Sequence, residues 1–149
     1  MSNRYDSIIL HFIVRILLIP FTLIFAIYVL IHGEASPGGG FQAGAIFAAA
    51  ALLGRLTLGQ QQSSDRYPTA LLVVVASIGL VIYAGTGVVS MFAGANYLDY
   101  DALPVLWFND VASHIRSARA IGIFIIEIGV FLGVFSILTV LYDHLSERE

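Results

Sequence analysis

Four apolar runs, each broken only by isolated polar residues, set the pattern of the chain: Ile8–Ile31, Phe41–Leu58, Ala70–Ala93 and Ile121–Tyr142. Polar, glycine-bearing segments separate them. A membrane-spanning helix needs about 20 predominantly apolar residues, range about 17–25. The runs meet that length, so the predicted fold class is an all-α integral membrane protein, a bundle of four transmembrane helices forming one membrane domain over residues 1–149. The first run is 24 residues long and contains His11 and Arg15. A signal-peptide core is only about 7–15 residues, so the pattern predicts a retained span. The second run is the shortest, and Arg55 near its end is expected to snorkel to the interface.

Composition sharpens this picture. Of the residues, 58% are hydrophobic and 11% charged, against about 25% charged in a soluble domain. Mean hydropathy is +0.89. There is no cysteine, which excludes disulfides, thiol chemistry and cysteine metal sites. A net charge of −3 gives no nucleic-acid signal. All seven basic residues other than histidine are arginines, and their placement predicts orientation. Arg4, Arg66 and Arg148, with Arg15 and Arg55, fall on the side of the termini; only Arg116 and Arg119 fall on the other. The positive-inside rule then puts both termini in the cytoplasm. The opposite side receives the glycine-rich connection after the first run and the segment Gly94–Ala120, whose Tyr97, Tyr100, Trp107 and Phe108 suit an interfacial aromatic belt.

Small residues recur within the runs. Gly40 and Gly44 begin a stripe in the second that Ala45, Ala48, Ala49 and Ala51 extend. Gly79 and Gly87 stand on one face of the third, and Gly129 and Gly133 form a G-x-x-x-G pair in the fourth. Lipid offers no hydrophobic force between helices, so such residues mark where backbones meet. The connection Pro37-Gly38-Gly39-Gly40-Phe41 poses a separate question. Gly38 to Ala43 matches the letters of a dinucleotide-binding loop, G-x-G-x-x-G/A, but a spanning helix precedes it, not a strand, and no Lys-Ser/Thr follows for a P-loop. A tight hairpin remains. Pro37 stops the first helix, at least one glycine is expected at positive φ, and Phe41 is expected to anchor the second helix.

Polar residues inside or beside the spans are the candidate chemistry. Ser7, His11, Arg15 and Thr22 share a face of the first helix. His32 and Glu34 sit at the mouth beside the glycines. Glu127 lies six residues into the fourth run, so ~9 Å deep at ~1.5 Å per residue. An ionisable group within a span is a functional hypothesis by default. For His11 and Arg15 the competing reading is interfacial anchoring. For Glu127 it is a hydrogen-bonded polar lock between helices. Glu127 points roughly opposite Gly129 and Gly133, so the fourth helix needs protein or a water-filled cavity on two faces, which suggests a subunit of something larger. Asp99, Asp101, His114 and His144 lack ligand spacing and are read as solvated. No metal site, cofactor site or hydrolase pattern is expected.

The stretch "HGEASPGGGFQAG", His32 to Gly44, resembles the signature of the B subunits of multisubunit Mrp-type sodium/proton antiporters. The acid-plus-glycine helix "IFIIEIGVFLGVFSILTVLY" is similar to that family's last helix. The likeness covers essentially the whole chain and departs at Glu34, where the family often has histidine, and at Ala43, where it often has glycine. It implies a non-enzymatic small subunit of a hetero-oligomeric cation/proton antiporter in the bacterial plasma membrane. Such a subunit would pack beside larger chains that resemble the antiporter-like subunits of respiratory complex I. It would support assembly and line part of the route for sodium and protons. Two alternatives stay open on the residues alone: a stand-alone small ion-coupled transporter using Glu127, and a structural scaffold of another complex I-like assembly.

Overall fold

The computed structural model describes residues 11–33, 38–58, 68–103 and 111–146. Four helices fill these segments: α1 (His11–Ile31), α2 (Gly40–Leu58), α3 (Thr69–Phe92) and α4 (Val111–Ser146). Each contains a stretch long and apolar enough to cross a membrane. The fourth begins well before the expected Ile121 and ends past Tyr142. Part of the segment expected as an outer connection is therefore helical. Trp107 and Phe108 lie outside the described residues.

Local chemistry explains the helix irregularities. Within α1, Val14–Leu18 is a π-helical turn in which the Ile19 N–H donates to the Val14 carbonyl. Pro20 follows at once. It has no N–H and its ring crowds the carbonyl four residues back, and widening the helix by one residue relieves the clash. The extra residue offsets the faces on either side, so Thr22 does not continue the His11–Arg15 stripe in simple helical phase. Its hydroxyl donates back to the Leu18 carbonyl at 2.7 Å. The α3 helix ends in a Schellman motif: Ala95 N–H donates to Ser90 C=O, and Gly94 N–H to Met91 C=O. Gly94 has φ +85°, a region where glycine carries no Cβ penalty.

In space the helices follow the order α1, α2, α4, α3. α1 packs on α2, α2 on α4, and α4 on α3. α2 and α4 run parallel and in step: Gly40 meets Glu127, Gly44 meets Phe131, Phe47 meets Phe131 and Phe135, and Arg55 meets Asp143. Small residues set this closeness. A Cβ on Gly44 would lie 2.8 Å from the Phe131 carbonyl oxygen. Across α3 and α4, a Cβ on Gly79 would lie 2.9 Å from the Gly133 nitrogen, and one on Gly129 2.8 Å from the Gly79 oxygen.

The buried residues are mostly small: Ala26, Ala43, Ala48, Ala50, Ala118, Ser90, Ser136 and Thr139. Large apolar side chains such as Phe21, Ile24, Leu80 and Val81 face outward. That inversion of a soluble core suits a lipid surround, where association rests on backbone proximity and packing.

Two expectations about packing are corrected. Gly87 does not receive a helix; the ring of Tyr97 lies against it, with its Cδ2 2.7 Å from where a Cβ would stand. The connection after α3 folds back over the bundle, and Tyr100 and Leu103 cover Gly122 of α4 in the same way. Phe41 is not a buried anchor. It is 65% exposed, because Gly40 and Gly44 take the α4 face of α2 and leave Phe41 on the outer side.

Candidate functional site

The glycines of the hairpin and the acid of α4, far apart in sequence, form one site. Gly33 ends the turn after α1; its N–H donates to the Leu30 carbonyl. Gly39 has φ +133°, which L side chains rarely adopt. Gly40 opens α2. All three border Glu127. A Cβ on Gly33 would lie 2.5 Å from both carboxylate oxygens, and one on Gly39 2.9 Å from Oε1. A Cβ on Gly40 would strike the Glu127 main chain, 2.8 Å from its carbonyl carbon and 2.9 Å from its Cα. Side chains are thus excluded on the hairpin side of Glu127, and the head group lies against backbone at the start of α2, where a helix N-terminus attracts negative charge.

This placement changes two expectations. Glu127 stands level with the ends of α1 and α2 rather than ~9 Å below them at ~1.5 Å per residue, because α4 starts earlier than its apolar run. The glutamate face of α4 is covered by the chain's own hairpin, and the glycine face by α3. The two-face requirement is therefore met within the chain and gives no separate evidence for a larger assembly. Glu127 remains half-buried, as a group must be if it is to exchange a proton or cation with its surroundings.

At the far end of the same α2–α4 seam is a second polar centre. Arg55 Nη1 donates to Asp143 Oδ1 in an ion pair whose side chains are almost wholly buried, 1% and 4% exposed. The expectation that Arg55 snorkels is overturned: the carboxylate of α4 meets it inside the bundle. Sequence reading missed Asp143, which falls one residue past the fourth apolar run. The usable signal was topological. With an even number of spans, the second and fourth helices end on one side, so an arginine and an aspartate in their last turns can meet.

The remaining candidates do not join Glu127. The Nδ1 of His32 lies 3.0 Å from the Tyr28 carbonyl, and its ring stacks on Tyr28 with centroids 4.1 Å apart. His32 thereby closes the end of α1. His11 and Arg15 are exposed near the opposite end. Arg15, carried by the π turn, lines a cleft of about 480 Å³ together with Arg55. Glu34 and Pro37 lie outside the described residues. Asp101, read as solvated, has Arg119 3.5 Å away on α4, both substantially exposed. Tyr100, beside it in the outer connection, has its phenol pushed above the usual range by burial, then by the neighbouring Tyr83 and Tyr97. Among the described residues no cluster of three or more histidines and acids could hold a metal ion.

The chain matches, over residues 9–140, the family model described as a domain related to the MnhB subunit of Na+/H+ antiporter. It is 28% identical over 144 residues to the B subunit of the Na(+)/H(+) antiporter of Alkalihalophilus pseudofirmus, covering 94% of this chain and 96% of that one. It is 29% identical over 131 residues to the B subunit of the Na(+)/H(+) antiporter of Bacillus subtilis, covering 85% of each. The matched segment contains all four membrane helices up to Val140, the glycine hairpin and Glu127, and on that extent the chain belongs to the family of MnhB-related domains.

Proposed function

We propose that this chain is a small, non-enzymatic membrane subunit of a multisubunit sodium/proton antiporter, assembled with other subunits in the bacterial plasma membrane with both termini in the cytoplasm. The family supports the antiporter reading, and the arginine distribution supports the orientation. The observation that carries a role for this chain in ion movement is the glycine cradle of Glu127. Two side-chain-free positions, Gly33 and Gly39, border one carboxylate at a helix boundary, and a third, Gly40, lies against the backbone that carries it. The hairpin keeps side chains off one side of the head group, and its half-buried position keeps it within reach of a proton or a cation. Glu127 is the proposed titratable group, and Gly33, Gly39 and Gly40, with Gly44 holding α2 against α4, are the scaffold that places it.

The test uses the whole antiporter in everted membrane vesicles, with a ΔpH-sensitive dye and added sodium chloride. Omitting this chain should abolish sodium-dependent proton exchange, and exchange that persists without it refutes the subunit reading. Glu127→Gln preserves shape and hydrogen bonding but removes the titratable group. Normal assembly with exchange lowered about tenfold or more, or with a shifted pH profile, is expected; a tenfold loss corresponds to ~1.4 kcal/mol. Unchanged exchange in Glu127→Gln, with failed assembly in Glu127→Ala, would make Glu127 a polar lock only.

A further inference from the structure

The cleft beside the buried ion pair is built from all four helices. Arg15, Ile19 and Leu23 of α1 form one wall, and Leu71, Leu72 and Val75 of α3 the other. The α2–α4 seam is its floor, with Phe47, Ala51, Gly54 and Arg55 facing Phe135 and Thr139. Helix directions order these residues. α1 runs from Arg15 to Leu23 away from the side of the termini, and α2 runs from Phe47 to Arg55 toward it. Both guanidinium-bearing residues therefore mark the end nearest the membrane surface on that side. Leu23, Phe47 and Val75 mark the end toward the middle of the bilayer. The slot is cationic at its mouth and apolar at its depth.

Its dimensions suit an acyl chain. From Arg15 to Leu23 is eight residues, about 12 Å at ~1.5 Å per residue. The cleft holds about 480 Å³ over that length, a space longer than it is wide and lined by apolar side chains below the arginines. The charge at the mouth agrees. Among the described residues, Asp143 offsets Arg55 through the buried ion pair, and the exposed Arg15 adds a second positive charge at the mouth. A cationic head beside an apolar slot matches the anionic phospholipids that dock in basic pockets between membrane helices. The π turn contributes, since it sets the direction in which Arg15 leaves α1.

We propose that this cleft is a binding site for an anionic phospholipid, with the phosphate at Arg15 and one acyl chain along Ile19, Ala51 and Leu72. The site is independent of the Glu127 cradle at the other end of the seam, and its failure would leave the antiporter reading untouched.

The test is photolabelling of the chain, kept in its native membrane assembly, with phosphatidylglycerol carrying a diazirine on one acyl chain. Labelled peptides are mapped by mass spectrometry. Label is expected on Leu23, Phe47 or Leu72. Excess unlabelled phosphatidylglycerol should compete, while phosphatidylcholine and inorganic phosphate should not. Arg15→Gln, at an exposed position, should weaken labelling of those residues about fivefold, equivalent to ~1 kcal/mol for one basic residue at a membrane surface. Gly54→Leu should block labelling while keeping both arginines; a Cβ there meets only Ile19 Cδ1, at 3.8 Å. Wild-type labelling in Arg15→Gln, equal competition by phosphatidylcholine, displacement by inorganic phosphate, or label confined to outward residues such as Phe21 and Ile24 would each overturn the proposal.

Discussion

Alanine at Gly40 and alanine at Gly33 should both damage the α4 contact, but only one of the two should be repairable by changing Glu127. A Cβ on Gly40 stands 2.8 Å from the Glu127 carbonyl carbon and 2.9 Å from its Cα. Carbon atoms settle at about 3.5–4.0 Å, so the two helix backbones must part by at least about 0.7 Å. Helix backbones in a packed seam do not yield locally, and overpacking of this kind costs about 1–3 kcal/mol. At Gly33 the Cβ stands 2.5 Å from both carboxylate oxygens and 2.7 Å from Cδ. Those atoms end a flexible side chain. Gly33→Ala should therefore displace the head group, at about 1 kcal/mol, and combining it with Glu127→Ala should remove most of that cost. The coupling energy between positions in contact is about 0.5–3 kcal/mol. Gly40→Ala combined with Glu127→Ala should show little coupling, because the main chain of residue 127 remains. The assay is thermal unfolding of the detergent-extracted protein, read by fluorescence-detected size exclusion over the four-member cycle. Gly85→Ala serves as the control, because a Cβ there meets nothing within 4 Å and alanine is the better helix former by about 1 kcal/mol. If Gly40→Ala is as stable as Gly85→Ala, or if Glu127→Ala rescues Gly40 as well as Gly33, the backbone contact between α2 and α4 is wrong.

The buried Arg55–Asp143 pair gives a second expectation. Arg55→Ala or Asp143→Ala alone should destabilise by about 3–5 kcal/mol by stranding a charge, whereas Arg55→Met with Asp143→Leu should recover most of the loss; midpoints in the same unfolding assay decide it. The third concerns Tyr100. Its folded phenol ionises above the usual range, so the stability it contributes is complete below about pH 10, the unfolded value. That contribution is lost as pH rises through the higher folded value. Unfolding midpoints from pH 9 to 11.5 should fall, and fall less in Tyr100→Phe; parallel curves would refute the contribution.

Several features of the protein were decided by the sequence alone. Run length set the number of helices, because the bilayer fixes how many apolar residues a span requires. The spacing of Gly79, Gly129 and Gly133 marked the faces of α3 and α4 that meet another helix, because small residues have one evident use between helices in lipid. The hairpin motif fixed the need for a positive φ, since only glycine adopts it without strain. Glu127 stood out as an acid within a span.

What surrounds each of these residues was decided only in three dimensions. Run length does not say which helices are neighbours. α4 lies between α2 and α3, and that order brings Gly33, Gly39 and Gly40 onto Glu127. It also buries Arg55 against Asp143, when an arginine near a helix end otherwise reads as an interfacial anchor. Gly87 has the spacing of a helix contact and receives a tyrosine from a connection instead. Phe41 has the look of an anchor and faces outward, because the glycines beside it take the close contact. In each case the residue type is a local property, while its partner depends on the order and phase of the helices. Those are set by the sum of many weak packing contacts across the bundle rather than by any one stretch of chain.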